Sequence, residues 1–399
     1  MAPNNFDFLD LPGELRNNIY ELLLNPAYLR QDLDDGQHTY NYNLALLHTN
    51  KQIYLEARKI FRQQNVFVRV ETPWEQAQHH VRVEGNVPII AQDRLADQIQ
   101  NIYMRVVIDS PQHGQSVDRH SRRFVLLEQD LAAFTTMWFY SDLSYAGDLN
   151  KHLRLALHLQ NPISDAEEEE GEERGLTKVL QRKLLEPFGM IKSLLCVSAS
   201  GPQIDYDGVW KSVKTEMEVP YATPEACLEE SSRLKDLGNE VLKKDPAKAI
   251  EIYLQAFKAL HIICSGRRRS IWGDPWFATQ LTSGPFKDHH GQVVRLILRV
   301  KLVANVIKAY LDLGEWEEAH FWGMRTILLM REAIREEDEP MDGFPAKDQM
   351  GKIFFRTGVA AKMLEDESEA RKLLRIAKLY LPHDENVTRM LASVALRLG

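Results

Sequence analysis

Cysteine is scarce: Cys196, Cys227 and Cys264 stand far apart, and no Cys-x-x-Cys pair occurs. That excludes a zinc ribbon and a disulfide framework, and a reducing compartment is expected. Also missing is any uninterrupted apolar run of about 18 residues. The start, Met-Ala-Pro-Asn-Asn-Phe-Asp, has no basic stretch followed by an apolar one. The expectation is therefore no membrane partner and a cytoplasmic, or also nuclear, location. Positive charge is not in excess, since 49 Lys and Arg against 57 Asp and Glu leave −8. General binding to a phosphate backbone needs a basic surface, so no nucleic-acid partner is expected. The chain carries no phosphate loop, dinucleotide fingerprint or Gly-x-Ser-x-Gly elbow. The pairs His79-His80 and His289-His290 have no companions at ligand spacing. These absences predict a protein that is not an enzyme and holds no metal and no cofactor. An enzyme site assembled in the middle of the chain from residues distant in sequence remains the rival of another class.

What is present is ordinary for a globular protein: 399 residues, 44% apolar and 27% charged, enough for two or three domains. The fold class expected is mainly α with a central α/β part. Residues 6–68 read as a helical module. Leu11-Pro12-Gly13-Glu14 enters a helix whose apolar positions are Leu15, Ile19, Leu22 and Leu23, and Asn50 caps a second helix with Ile53, Tyr54, Ala57, Ile60 and Phe61 on one face. A strand-like alternation follows over Asn65–Val70. Residues 69–220 read as a small mixed α/β block. Strands are predicted at Ile102–Ile108, Leu153–Leu159 and Ser193–Ser198, with helices near Phe124–Tyr140 and Leu176–Leu185. The acidic run 165–173 reads as a solvated, self-repelling loop. Residues 224–399 read as almost all helix.

The helical region repeats itself on small-residue landmarks. Gly238 precedes Ala249, Tyr253 and Ala256; Tyr310 and Gly314 precede Ala319; Gly358 precedes Ala370, Ala377 and Pro382. This resembles the tetratricopeptide repeat (TPR), a helix–turn–helix unit of 34 residues. The resemblance implies three stacked hairpins plus a covering helix over Asn386–Leu398. Ala249, Ala319 and Ala370 are 70 and 51 residues apart, so insertions are expected near 264–290 and 335–347. The second repeat also departs from the family in having Gly323 where an aromatic is usual. A generic helical bundle is the alternative.

One subclass of these repeats is similar in a more specific way. It carries Lys three before and Asn one after the first Gly, Asn five before the second Tyr, and Lys and Arg four apart with Arg two before the third Gly. Lys235, Asn239, Asn305, Lys352 and Arg356 fill all five places, in a register set by Gly, Ala, Tyr and Pro alone. The resemblance implies a clamp for a peptide's C-terminal carboxylate. Lys235 and the two Asn would hold the terminal carboxylate, while Lys352 and Arg356 would hold the last Asp side chain and nearby backbone. The expected partners are the Glu-Glu-Val-Asp tails of heat-shock-70 and heat-shock-90 chaperones. The plainer alternative is a set of polar residues on a solvated face.

The N-terminal stretch Leu9-Asp10-Leu11-Pro12-Gly13-Glu14-Leu15-Arg16-Asn17-Asn18-Ile19-Tyr20, followed by Gln52-Ile53-Tyr54-Leu55-Glu56-Ala57, resembles an F-box-like module common in fungal proteins. That resemblance implies docking to a Skp-family adaptor of a cullin-RING ubiquitin ligase through Leu9, Leu11, Pro12, Leu15 and Ile19. The alternative is that these residues pack on the middle block. Together the two likenesses imply a non-enzymatic adaptor, its rival being a plain co-chaperone with a structural N-terminal block. Arg267-Arg268-Arg269 could mark a nuclear signal or a phosphate contact, with a solvated loop the preferred reading. Trp272, Trp276 and Phe277 could anchor a partner or pack on the repeat surface.

Overall fold

The computed structural model describes residues 8–33, 37–118, 120–162, 175–202, 204, 208–333, 340 and 343–394. The chain is mainly helical with an α/β part, as its sequence predicts. It divides into two compact units, Met1–Tyr221 with Gly266–Arg268, and Ala222–Ser265 with Arg269–Gly399. The acidic run 165–173 lies outside the described residues, as does most of the insertion expected near 335–347.

The first unit begins with α1 (Gly13–Leu24), α2 (Pro26–Leu29), a hairpin of β1 (Arg30–Asp32) and β2 (His38–Tyr40), and α3 (Lys51–Gln64). Asn50 starts α3 as expected, its side-chain oxygen accepting from the Gln52 N–H at 2.7 Å. The apolar faces of α1 and α3 meet in a small core of Tyr20, Leu24, Ile53, Ala57 and Ile60. A charged clasp crosses it. Arg16 donates to Glu56 from Nε at 2.9 Å and from Nη2 at 2.6 Å, and the Tyr20 hydroxyl donates to Glu56 at 3.0 Å. The Arg16 hydrogen bonds pull the Glu56 carboxyl down to about 2.

A six-stranded mixed sheet follows, built from β3 (Phe67–Thr72), β4 (Ala91–Gln92), β5 (Ile102–Asp109), β6 (Arg122–Leu127), β7 (Arg154–Leu159) and β8 (Cys196–Ser200), in the order β4-β6-β3-β5-β7-β8. Strand β3 straddles the boundary drawn at 68/69, pairing parallel with β5 and antiparallel with β6. Its helices are α4 (Ala77–His79), α5 (Arg94–Gln98), α6 (Leu131–Ser144), α7 (Lys178–Leu185) and α8 (Val209–Glu218). The helix expected over Phe124–Tyr140 is corrected here: its first residues form β6, and α6 starts only at Leu131. Phe124, Val125, Leu126 and Leu127 are all buried, a four-residue apolar run with no period to separate helix from inner strand. The strand expected at Ser193–Ser198 begins instead at Cys196; Ser193 has φ 59°, a left-handed conformation no strand accepts, and the Leu195 N–H goes to the Asn150 and Leu153 carbonyls. Helix α6 is buried on most of its surface, and Phe134 meets Phe124 of the sheet edge-on at 6.3 Å.

The second unit contains α9 (Pro224–Leu242), α10 (Pro246–Ala259), a hairpin of β9 (Ile262–Ser265) and β10 (Arg268–Ile271), α11 (Asp274–Phe277), α12 (Gly291–Leu313), α13 (Trp316–Ala333), α14 (Lys347–Met363), α15 (Glu367–Tyr380) and α16 (Glu385–Ser393). Three helical hairpins, α9/α10, α12/α13 and α14/α15, are followed by the covering helix α16. Asp245 and Pro246 make the tight first turn, with Asp245 accepting from the Lys248 N–H at 2.9 Å. One core runs through all the hairpins, including Tyr253, Phe257, Ile307, Trp322, Phe354, Leu374 and Val387. Two glycines set how closely the helices approach. A Cβ on Gly238 would lie 2.7 Å from Tyr253 Cδ1, and one on Gly323 would lie 2.8 Å from both Cβ and Cγ2 of Thr357. Gly323, the departure from the repeat pattern, is thus where α14 is admitted against α13.

Candidate peptide-binding site

The first helices of the three hairpins pack side by side, α12 touching both α9 and α14. Lys235 and Asn239 lie four apart on α9, Asn305 lies on α12, and Lys352 and Arg356 lie four apart on α14. Three of the five are tied together. Asn305 Nδ2 donates to Asn239 Oδ1 at 2.7 Å, and Arg356 Nη1 donates to the carbonyl of Ala304, the residue before Asn305. Lys235 and Lys352 sit one turn from Asn239 and Arg356 on the same helix faces.

Hydrogen-bond polarity leaves donors for a ligand. Asn239 Oδ1 accepts from Asn305 and also from the Tyr253 hydroxyl at 2.9 Å, so the Asn239 NH2 remains to donate. Arg356 is half-buried, and burial pulls its pKa below the ordinary value while the Asp312 carboxylate opposes that. A guanidinium held partly out of water is stabilised by an anion brought to it. Lys352 is exposed and, among the described residues, has no polar partner. Lys235 shields most of its side chain and ion-pairs with Asp236.

Sequence reasoning missed three contributors. Tyr253 served as a spacing landmark, yet it fixes the Asn239 amide. Asp236 and Asp312 bring negative charge, pairing with Lys235 and with Lys308. Lys308 and Asp312 follow Asn305 by three and seven residues on one face of α12, a spacing readable in advance.

The proposed adaptor contacts are distributed differently. Helix α1 buries Arg16, Tyr20 and Leu24 against α3. Leu15 is 49% exposed, Pro12 is exposed, and Leu11 and Ile19 are half-buried on the remaining faces. Leu9 is partly buried against the Tyr20–Ile60 core. On the sheet, a charged depression is lined by Arg69, Glu71, Asp97, Arg105, Arg123 and Gln160. Its charges largely answer one another: Arg105 grips Glu71 at 2.9 and 3.0 Å, and Arg123 lies 3.6 Å from Asp97. Trp276 and the fully buried Phe277 pack on the repeat core. Among the described residues, no helix is long and apolar enough to cross a membrane, and no group of three or more His, Cys, Asp or Glu could hold a metal ion.

No protein-family model matches the chain. No curated protein matches it either. Among solved structures, the C-terminal TPR-containing domain of a Plasmodium falciparum protein described as FK506-binding aligns over 43% of this chain and 91% of its own, at 14% identity and a TM-score of 0.30. A likeness that loose carries no weight for function. The helical-hairpin architecture rests on the helix pairing described above.

Proposed function

We propose that the chain is a non-enzymatic protein–protein adaptor whose groove, formed by α9, α12 and α14, binds the acidic C-terminal peptide of a heat-shock-70 or heat-shock-90 class chaperone. The observation that carries this is the convergence of Asn239, Asn305 and Arg356, with Lys235 and Lys352 one turn away. Two carboxylates at a peptide's last residue need clustered cations plus neutral donors that add no repulsion, and this set supplies both. Titration calorimetry with a peptide ending in Glu-Glu-Val-Asp tests it. Lys352→Ala or Arg356→Ala is expected to weaken binding by about 1–3 kcal/mol, the range for hydrogen bonds to charged groups. Unchanged affinity in both variants would contradict the assignment.

The N-terminal module would dock a Skp-family adaptor of a cullin-RING ligase through Leu9, Leu11, Pro12, Leu15 and Ile19, bringing chaperone-held clients near that enzyme by effective concentration. Exposed Leu15 on a face that α3 leaves uncovered supports this. Capture of the adaptor by wild type and its loss in Leu11→Asp/Leu15→Asp is the expected result. Equal, poor capture would leave a plain co-chaperone with a structural N-terminal block.

A further inference from the structure

The insertion between the first two hairpins gathers arginines. Strand β10 carries Arg269, whose guanidinium carbon lies 3.9 Å from the centre of the Trp322 ring on α13. Three residues on, Arg325 shares that face of α13. From α12, Arg295 reaches the base of the same hairpin, donating to the Leu260 carbonyl at 2.9 Å and the Trp272 carbonyl at 2.7 Å, and pairing with Asp274. Arg299 lies one turn further along the same face of α12. Helices α12 and α13 pack against each other across a turn at Gly314, and Arg325 is near enough to Arg299 for the two charges to repel.

The cations outnumber the anions that face them. Asp274 neutralises Arg295, and Glu318 acts on Arg269. Arg299 and Arg325 are half-buried and, among the described residues, make no hydrogen bond or ion pair. Burial pulls the Arg299 pKa down, and Arg295 and Arg325 push it further the same way, while the Asp274 carboxylate opposes them. Cys264 of the facing strand supplies no charge, because burial holds its thiol above the ordinary value. Asp274, already paired with Arg295, also acts on Arg299, so among the described residues these two guanidinium groups, partly removed from water, have no anion of their own and form an unfinished site.

We propose that Arg299 and Arg325, with Arg269 behind them, bind a phosphate dianion, free or as the monoester of a small molecule. Among the described residues Arg269, Arg295, Arg299 and Arg325 face Asp274 and Glu318, a deficit of two charges that matches one dianion, and two planar forks suit its oxygens. Arg299 is six residues from Asn305, so it points from another face of α12, and this site stands independently of the peptide groove.

The test is thermal unfolding of the full chain in phosphate-free buffer, with sodium phosphate against sodium chloride at equal ionic strength. Phosphate is expected to raise the midpoint of the helical unit by about 2–4 °C more than chloride. Arg299→Met is expected to unfold at a higher midpoint than wild type without phosphate, since it removes an unanswered cation, and to lose the response. A lower midpoint in R299M with no phosphate response in wild type would overturn the proposal. So would equal responses in both proteins, which would mark an adventitious ion only. Should R299M fail to fold, the phosphorus NMR line of inorganic phosphate decides. Broadening by wild type that Arg325→Met abolishes supports the site, and equal lines refute it. Phenyl phosphate run beside inorganic phosphate distinguishes a monoester from the free ion.

Discussion

Replacing Gly323 with Ala puts the packing between the second and third hairpins to a test of sign. Gly323 lies inside α13, where Gly→Ala in an unconstrained helix stabilises by about 0.8–1 kcal/mol. Here the added methyl would fall 2.8 Å from both Cβ and Cγ2 of Thr357, well inside ordinary contact. Thr357 cannot turn away easily, because it is fully buried and its hydroxyl donates to the Ile353 carbonyl at 2.7 Å. The two helices must therefore part by several tenths of an ångström, and overpacking of this kind costs about 1–3 kcal/mol. Net of the helix propensity gained, the variant should lose up to about 2 kcal/mol and its midpoint should fall by up to about 8 °C. Urea or thermal unfolding measures this. Adding Thr357→Ala should restore part of the loss, giving a coupling that a double-mutant cycle detects. A G323A protein more stable than wild type by about 1 kcal/mol would show that the seam is loose and that α14 is not held where the groove requires it.

Other outcomes are expected from single contacts. Tyr253→Phe deletes the hydroxyl that fixes Asn239, so stability should drop by about 0.5–1.5 kcal/mol and acidic-peptide affinity should fall with it, both read by calorimetry. Asp312→Asn frees Lys308 and removes the carboxylate acting on Arg356, so binding of an acidic peptide should tighten, by up to ~1 kcal/mol for a part-exposed pair; weaker binding would show that Asp312 orients the site. His261 is buried and its pKa is pulled from 6.5 to about 3, mainly by burial and then by Arg295, so it is neutral in the folded protein. The unfolded chain takes up that proton first, so stability present above pH 6.5 is lost as pH falls towards 3. His261→Phe should flatten the acid limb of the unfolding midpoint against pH, and an unchanged limb would assign the acid sensitivity elsewhere.

How much of this was readable beforehand depends on whether the signal is periodic or steric. The helices carry a 3.6-residue apolar period with caps at Asn50, Asp245 and Thr223, so their existence follows from sequence. Phe124–Leu127 has no such period, being buried throughout, so nothing in its pattern separates a strand from a helix. The five groove residues were placed on three helices by small-residue register, because Gly238 and Ala249 report where helices touch. Charge pairing was not readable. Nothing in the order Lys235-Asp236 says that the two side chains join, and nothing in Arg267-Arg268-Arg269 says that Arg269 lies on the Trp322 ring. Those outcomes depend on which way a side chain leaves its backbone, and so on the packed neighbours.

As proposed, the helical unit recognises a free chain end bearing two carboxylates. Calorimetric titration of the whole protein with one acidic peptide in two forms, free acid and C-terminal amide, tests it most directly. The free acid should bind with an affinity that falls as salt rises, and the amide should bind at least tenfold more weakly, about 1.4 kcal/mol. Equal affinity for the two forms, or no binding of the free acid, would contradict the account.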